Sequence, residues 1–259
     1  MNQTLRSLAA HILPPALTLI GALLFWEFWV QWRDIAIIVV PPPSAVLERF
    51  LDDPDFFRHH GGWTLYEATL GLLLGSSFAL ALAIAMAHSR LTERALFPLA
   101  IIIKVTPIVA VAPVLVIMFG FGTTPKILVA ALFSFFPMLV NAMTGFRDVN
   151  PGALEFLRSL RASPWQLFWK LRLPSALPYL FAALKVTYPL ALIGAVVAEW
   201  FTGDRGLGLV IFVANANLDT PTLFAAVGVL ALTGVTLNVL LYLTERRLLF
   251  WHETIRTIR

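Results

Sequence analysis

The sequence contains no cysteine and few charged residues. The missing cysteines exclude a disulfide framework, a thiolate metal site and a cysteine nucleophile. Charged side chains make up 13% of the 259 residues, whereas a soluble globular domain carries about a quarter. Hydrophobic residues make up 59%, and several apolar runs reach the ~20 residues that a membrane-spanning helix needs. These features predict an all-α membrane protein.

Motifs for nucleotide, metal and nucleophile chemistry are also missing. The sequence has no G-x-x-x-x-G-K-[ST] loop, and the glycines of GDRGLG at 203–208 have the wrong spacing for a dinucleotide loop. It has no H-E-x-x-H motif, and the pair His59-His60 has no carboxylates at metal-ligand spacing. We therefore expect no catalytic residue, no metal site and no cofactor bound by this chain.

The apolar runs predict about six membrane-spanning helices. They cover approximately 13–32, 64–87, 95–119, 127–146, 179–201 and 222–244. The first run lacks a small-residue cleavage site, so we expect a retained span and not a signal peptide. The prolines at 41–43 cannot continue a helix. Ser44 is predicted to cap a short amphipathic helix in an external segment, about 41–62, that lies along the membrane surface.

Lysine and arginine are unequally distributed between the loops. Most of them lie at the two termini, near residue 90 and in the segment 147–178, which we call the polar segment. The positive-inside rule therefore predicts that both termini and the polar segment are cytoplasmic. The basic residues lie mainly between apolar runs. We therefore attribute the net charge of +4 to the orientation of the chain in the membrane, and we expect no nucleic-acid partner.

The polar segment contains clear helix signals. Its central part reads EFLRSLRASPWQLFWKLRLPSALP, and S-P-W-Q at 163–166 fits a capping box with proline at the first helical position. This predicts a helix from Pro164 to about Arg172 that ends before Pro174. A second short helix over 154–160 and an elbow at 161–163 should precede it.

Three aromatic residues of the polar segment, Trp165, Phe168 and Trp169, are spaced to share one helix face. One interpretation is an amphipathic connector on lipid headgroups, with tryptophan at the interface and bases on phosphates. The alternative is a projection that docks into a partner protein.

The polar segment resembles the cytoplasmic signature of permease subunits of binding-protein-dependent ABC importers. That signature reads E-A-A-x-x-x-G, followed about nine residues later by I-x-L-P. Glu155 stands at the glutamate, Phe156-Leu157 replace the two alanines, Arg161 replaces the glycine, and L-R-L-P at 171–174 matches the end. Arginine hardly shares the freedom of glycine at positive φ. We therefore expect an elbow without a left-handed residue, or an Arg161 side chain that reaches the ATPase.

The resemblance extends from Pro41 to Trp251 and is closest to the nitrate, sulfonate and taurine branch, which also contains importers of thiamine-precursor pyrimidines and riboflavin-like heterocycles. It implies a single permease domain over 1–259, of type I ABC importer architecture, in the inner membrane of a prokaryote. The matching pieces, in order, are PPPSAVLERF, TLYEATLGLLLG, VTPIVAVAPVLVIMFGFG and AEWFTGDRGLGLVI.

The resemblance also implies the partners of the chain. They are a dimer of cytoplasmic ABC ATPases that binds ATP and Mg, a second permease copy in a homodimer or pseudo-symmetric heterodimer, an external or periplasmic solute-binding protein, and the lipid bilayer. The residues expected to couple to the ATPase are Glu155, Leu160, Arg161, Ala162, Ser163, Trp165, Gln166, Phe168 and Pro174.

Charged and proline residues inside the predicted spans indicate a translocation path. A charged side chain at membrane depth costs about 2.5–3.5 kcal/mol on insertion scales, and proline frees backbone carbonyls that are tolerated only against protein or a wet cavity. The alternatives are a kinked helix buried against its neighbours and, for Lys185, snorkelling to the interface. The candidate path residues are Lys104, Thr106, Pro107, Ala112, Pro113, Asn141, Lys185 and Tyr188.

Three residues near the predicted outer end of the fifth span, Glu199, Gly206 and Gly208, are candidates for an external gate. The alternative for Glu199 is an ordinary position at the membrane interface.

The substrate class is left open between two choices. The stretch ANANLDTPTLFAAV at 214–227 favours a thiamine-precursor pyrimidine or a riboflavin-like heterocycle, whereas the deep lysines suit a sulfonate, taurine or nitrate anion. Other functions rank lower. An ion-coupled secondary transporter should show matched broken helices and midplane acids, and a membrane enzyme should show a nucleophile–base pair at depth.

Overall fold

A computed structural model describes residues 3–249, and within this range all regular secondary structure is helical. The long apolar runs form the long helices, and the proline and glycine clusters separate them. The elements are α1 (Gln3–Trp32), α2 (Pro43–Asp52), α3 (Pro54–His88), α4 (Arg90–Val105), α5 (Ile108–Phe119), α6 (Thr123–Arg147), α7 (Pro151–Ser159), α8 (Pro164–Leu167), a π-helical turn (Phe168–Arg172), α9 (Leu173–Thr202), α10 (Leu207–Ala216) and α11 (Thr220–Leu248).

Five stretches are long and apolar enough to cross a membrane, and the bent pair α4–α5 supplies a sixth if it is counted as one span. The prediction of an all-helical membrane protein with about six spans is therefore confirmed. The five stretches are Leu13–Trp32, Pro54–His88, Thr123–Arg147, Pro164–Thr202 and Thr220–Leu248.

The predicted third span, 95–119, is not one straight helix. Helices α4 and α5 meet at an angle of 95°. Thr106 closes α4 with its N–H donating to Ile102 O at 3.1 Å and then adopts an extended conformation, as expected for a residue that precedes proline. Pro107 begins the next helix and has no N–H to continue the first one. Pro98 and Pro113, by contrast, lie inside helices.

The predicted external segment, 41–62, contains α2 and the first turns of α3, because α3 already begins at Pro54. The prediction that Ser44 caps α2 is wrong. Pro42 occupies the cap position, and Pro43 takes the first helical position, where its missing N–H costs no hydrogen bond. The N–H and the hydroxyl of Ser44 instead donate to the carboxylate of Glu27, at 2.9 and 2.8 Å.

The chain divides into two compact units. The first comprises the described residues up to Arg58 together with 210–229. In this unit the guanidinium of Arg49 donates to the hydroxyl of Thr222 at 2.8 Å, and the ring of Trp26 lies 5.6 Å from that of Phe224. These contacts connect α1 and α2 to the start of α11.

The second unit comprises 59–209 and the described residues from Leu230 onward, and α6 and α9 form its centre. The two helices approach closely because small residues face each other. A Cβ added to Gly194 would lie 2.8 Å from Ala130 Cα, and one added to Gly145 would lie 3.1 Å from Ala176 Cα. Such close approach is the usual way in which membrane helices associate, since apolar burial gives no advantage in lipid.

Candidate functional site

The elbow of the polar segment contains a left-handed residue. Helix α7 ends with a Schellman motif, in which Arg161 N donates to Arg158 O at 2.9 Å and Ala162 N donates to Leu157 O at 3.0 Å. Arg161 has φ +53°. Of the two alternatives, an elbow without a left-handed residue is therefore excluded, and contact of the Arg161 side chain with the ATPase stays a prediction. The two hydrogen bonds satisfy carbonyls at the end of α7 and offset a conformational cost of about 1–2 kcal/mol.

The capping box after the elbow is present as predicted. Gln166 N donates to Ser163 Oγ at 3.3 Å, and Ser163 N donates to Gln166 Oε1 at 2.8 Å, with Pro164 at the first helical position. The prediction that this helix ends before Pro174 is wrong. The chain continues through the π-helical turn, where Leu173 N–H donates to Phe168 O, and Pro174 then lies in the first turn of α9.

The three aromatic residues do not share one exposed face. Trp165 and Trp169 are 69% and 49% exposed, and their rings lie 5.4 Å apart. Phe168 is buried instead, with its ring 5.7 Å from Phe146 and 5.9 Å from His88. Its expected contact with an ATPase is replaced by a packing role, since Phe168 attaches the π-helical turn to the ends of α3 and α6.

Most of the other expected ATPase contacts are accessible in this chain. Ala162 and Pro174 are half-buried. Glu155 forms no ion pair with any residue in the described part of the chain. The exposed members of the set are Glu155, Leu160, Arg161, Ser163, Trp165 and Gln166.

Polar contacts connect the polar segment to the helices around it. Arg172 donates to Ala87 O at 3.3 Å, and Asp148 accepts a hydrogen bond from the Tyr179 hydroxyl. The guanidinium of Arg147 pairs with the carboxylate of Glu93 at 2.6 Å. Because these contacts reach α3, α4 and α9, a displacement of the polar segment would act on several spans together.

The candidate path residues of the broken span fall into two groups. Lys104, Thr106 and Pro107 are exposed around the 95° bend, and the ammonium of Lys104 lies 4.8 Å from the ring centre of Phe136. Ala112 is fully buried against α6 and α9, and Pro113 is half-buried. The first group is therefore the more accessible of the two.

The remaining path candidates have partners or are enclosed. The ammonium of Lys185 forms an ion pair with Glu245 of α11, a partner that sequence spacing did not suggest. The amide of Asn141 donates to Pro137 O of its own helix at 2.8 Å. Tyr188 is buried, and its hydroxyl has no hydrogen-bond partner among the described residues.

The three gate candidates lie together. Glu199 is fully buried, so its carboxylate is not exposed at a membrane surface. Its carboxylate accepts a hydrogen bond from Gly208 N at 2.5 Å and one from the Thr64 hydroxyl at 2.7 Å. A Cβ at Gly206, where φ is +110°, would overlap that carboxylate. Glycine is therefore required both for the backbone conformation and for the space.

Lys126 is a member of this site that the sequence did not reveal, because it was assigned to a loop. It is fully buried and lies 2.6 Å from Asp204 and 3.1 Å from Glu67. It also donates to Arg205 O at 3.0 Å. Its position in the first turn of α6, where a positive charge opposes the helix dipole, is the signal that could have indicated nearby acids.

The resulting buried ion cluster consists of Thr64, Glu67, Lys126, Glu199, Asp204, Arg205 and Gly208. Asp204 lies in the turn between α9 and α10. Partial burial raises the pKa of Asp204, but the hydrogen bond and the charge of Lys126 outweigh this and hold the pKa below its usual range. The guanidinium of Arg205 lies 3.4 Å from the ring centre of Trp63, which fixes the turn against α3.

The described residues thus combine apolar helices long enough to cross a membrane with an exposed, capped segment between two of them. Residues 71–250 match the family described as binding-protein-dependent transport system inner membrane component. The chain belongs to this family of ABC importer permeases, which are non-catalytic transport subunits. This decides against a secondary transporter and a membrane enzyme.

Relatives of several kinds align with nearly the whole chain. A riboflavin transport system permease protein of Chloroflexus aurantiacus is 38% identical over 92% of this chain and 89% of its own length. A formylaminopyrimidine transport permease protein of Halalkalibacterium halodurans is 31% identical over 93% and 96%. A taurine transport system permease protein of Escherichia coli is 30% identical over 92% and 90%.

The fold is also found in a solved structure. A crystal structure of an amino acid ABC transporter with histidines superposes with a TM-score of 0.65 over 77% of this chain and 97% of that chain, at 19% identity. At this identity the likeness concerns the fold.

Proposed function

We propose that this permease carries a small heterocyclic solute of pyrimidine or flavin type, and that the polar segment transmits the action of a separate ATPase. The heterocycle is supported by the riboflavin and formylaminopyrimidine permeases, which align over about nine-tenths of this chain. In this proposal, two copies of the chain form the path, an external binding protein delivers the solute, and ATP and Mg bind to the ATPase.

The observation that carries the coupling role is the geometry of the polar segment. Its short helix α8 begins with a complete capping box and exposes Trp165, and the π-helical turn that follows exposes Trp169 and buries Phe168 in the core. A rigid, aromatic, accessible helix attached to a buried anchor is suited to a groove in a partner protein. Glu155 is free to pair with a base on the ATPase.

The coupling role can be tested with the reconstituted complex of permease, partner ATPase and binding protein. We expect Glu155→Arg and Trp165→Ala to leave the complex folded but to remove most of the stimulation of ATP hydrolysis by the loaded binding protein. Glu48→Gln, an exposed acid on α2, is the matched control. Full stimulation in both variants would exclude the coupling role.

A sulfonate or taurine anion is the second candidate. It is favoured by the exposed ammonium of Lys104 beside the break between α4 and α5. ATPase stimulation in the presence of binding protein distinguishes the two classes. We expect stimulation by riboflavin or formylaminopyrimidine and none by taurine, and we expect Lys104→Gln to preserve it. Stimulation by taurine alone would contradict the heterocycle proposal while leaving the coupling role intact.

The proposed orientation places the polar segment in the cytoplasm and α2 on the outer side. Both termini are also placed in the cytoplasm by this proposal, but their last residues, including Trp251, lie outside the described range. The natural absence of cysteine allows single cysteines to report sidedness. We expect Arg161→Cys to react with an impermeant thiol reagent only in inverted vesicles and Glu48→Cys only in intact cells.

A further inference from the structure

One side of α4 carries an open cavity of about 380 Å³ near the start of the helix. Its lining residues are Arg90, Glu93, Arg94, Phe97 and Pro98. Residues at this spacing, three or four positions apart, follow one another along a single helix face. The cavity is therefore charged at the beginning of α4 and apolar one turn further on. None of its residues belongs to the candidate coupling, path or gate residues.

The charged end of the cavity has an excess of positive charge. The carboxylate of Glu93 is already paired with the guanidinium of Arg147, which donates to one oxygen at 2.9 Å and lies 2.6 Å from the other. Arg90 and Arg94 are exposed and form no ion pair with any residue that the structure describes. Two guanidinium groups one helical turn apart match the oxygens of a phosphate group well.

The position of the two arginines favours an anion that belongs to a lipid. Helix α3 is long enough to cross a membrane and ends at His88. Only Ser89 separates it from α4, and the Ser89 hydroxyl accepts a hydrogen bond from Thr92 N at 3.2 Å, which fixes the first turn of α4. Arg90 and Arg94 therefore lie next to the end of a span, where the headgroups of one leaflet are found.

The apolar end of the cavity suits an acyl chain. Phe97 is half-buried because it packs against the core, whereas Pro98 is exposed. The exposed Ile101 continues the same face one turn further on. From Arg94 to Ile101 the helix rises by ~10 Å, compared with the ~15 Å of hydrocarbon in one leaflet. A free phosphate ion would leave this apolar surface uncovered, and a phospholipid would cover it.

We propose that this cavity binds an anionic phospholipid, with its phosphate group between Arg90 and Arg94 and the first part of an acyl chain against Phe97 and Pro98. The positive-inside rule accounts for basic residues near the ends of spans, but it requires neither this spacing nor an adjoining apolar cavity. The bound lipid holds the start of α4, the first half of the broken span. The proposal depends neither on the transported solute nor on the coupling role of the polar segment.

Native mass spectrometry of the complex of permease and ATPase tests the site. With dioleoylphosphatidylglycerol or dioleoylphosphatidylcholine added in detergent, we expect the complex to retain the anionic lipid preferentially. A basic residue near anionic lipid contributes about a factor of five in affinity, so Arg90→Gln/Arg94→Gln should bind phosphatidylglycerol about 30-fold more weakly.

The matched control is Arg246→Gln/Arg247→Gln, which removes two exposed arginines without ion pairs from the last turn of α11. This variant should bind phosphatidylglycerol as the wild type does. Without added lipid, both double variants should melt with the wild type, because all four side chains are exposed. Equal losses of affinity in the two double variants, or equal retention of the two lipids, would indicate diffuse charge attraction and overturn the site.

Two further measurements distinguish the lipid from other occupants. Phosphatidylglycerol with a photoactivatable acyl chain should label the peptide that contains Ile101 in the wild type but not in Arg90→Gln/Arg94→Gln. Displacement of this label by millimolar inorganic phosphate would assign the site to a free anion instead. Because the natural chain has no cysteine, Pro98→Cys provides a single thiol in the cavity. A disulfide between two Pro98→Cys chains would show that a second copy covers this face, and would contradict the proposal.

Discussion

In the polar segment the charged side chains of Glu155 and Arg161 are exposed, whereas the buried ion cluster encloses Glu67, Lys126 and Glu199 completely. Both regions depart from simple sequence rules. One places arginine in a left-handed conformation, and the other places charges inside a bundle. The difference lies in how each region is held, since backbone hydrogen bonds fix the elbow and ion pairs fix the cluster. Substitutions should accordingly impair coupling in the first region and stability in the second.

The largest effect on stability should come from Lys126→Met. This change removes the ammonium that lies 2.6 Å from Asp204 and 3.1 Å from Glu67, and breaking one side of a buried ion pair costs about 3–5 kcal/mol. We expect a large loss of folded protein, measured by thermal unfolding in detergent. Lys104→Met, which removes an exposed ammonium, is the control and should remain near the wild-type melting temperature. Equal melting temperatures of the two variants would contradict the role of Lys126.

Two neighbouring aromatic residues should separate stability from coupling within the polar segment. Phe168→Ala removes a buried ring and should lower the free energy of unfolding by about 3 kcal/mol. Trp165→Ala removes an exposed ring and should change it by less than about 0.5 kcal/mol, while stimulation of the ATPase is lost. Measuring unfolding and ATP hydrolysis on the same preparations tests this. A stable, fully active Trp165→Ala would show that the exposed ring has no partner.

A smaller effect is expected at the turn beside Glu199. Gly203 and Gly206 both have positive φ, but only a Cβ at Gly206 would overlap the carboxylate of Glu199. Gly203→Ala should therefore lower the free energy of unfolding by about 1 kcal/mol, through backbone strain alone. Gly206→Ala should cost more, because Glu199 must move away from Thr64 and Gly208. Melting temperatures of the two variants test this ordering, and a reversed order would show that Glu199 is not confined.

The smallest effect is expected at the elbow. Arg161→Gly relieves a left-handed non-glycine residue and should raise the free energy of unfolding by up to about 1 kcal/mol. Arg158→Gly, inside helix α7, is the control and should lower it by about 0.5–1 kcal/mol. If Arg161→Gly loses ATPase stimulation while it unfolds at a higher temperature, the Arg161 side chain contacts the ATPase. Destabilisation by Arg161→Gly would contradict the left-handed elbow.

The sequence was sufficient for features that depend on neighbouring residues. The number of spans, the capping box at 163–166 and the family followed from local patterns. The break at Pro107 was foreseen as a loosened helix but not as a 95° bend, because the angle depends on packing against α6 and α9. The continuation past Pro174 was missed because a π-helical turn has no local signature.

Features that depend on distant residues could not be predicted. Lys126, Glu67 and Glu199 come from three helices, and Lys185 pairs with Glu245, sixty positions further along. Each looked like an isolated polar residue near the end of a span. Their association depends on how the helices pack, and the hydrophobic periodicity of the sequence does not reveal that packing.

The most direct test of the central claim is a cross-link between the polar segment and the ATPase. Because the natural chain has no cysteine, Trp165→Cys provides a single thiol on the exposed face of α8. A short bifunctional reagent should join it to the partner ATPase, whereas Leu51→Cys, equally exposed on α2, should give no such product. Absence of the Trp165→Cys product, or equal products from both positions, would contradict the account.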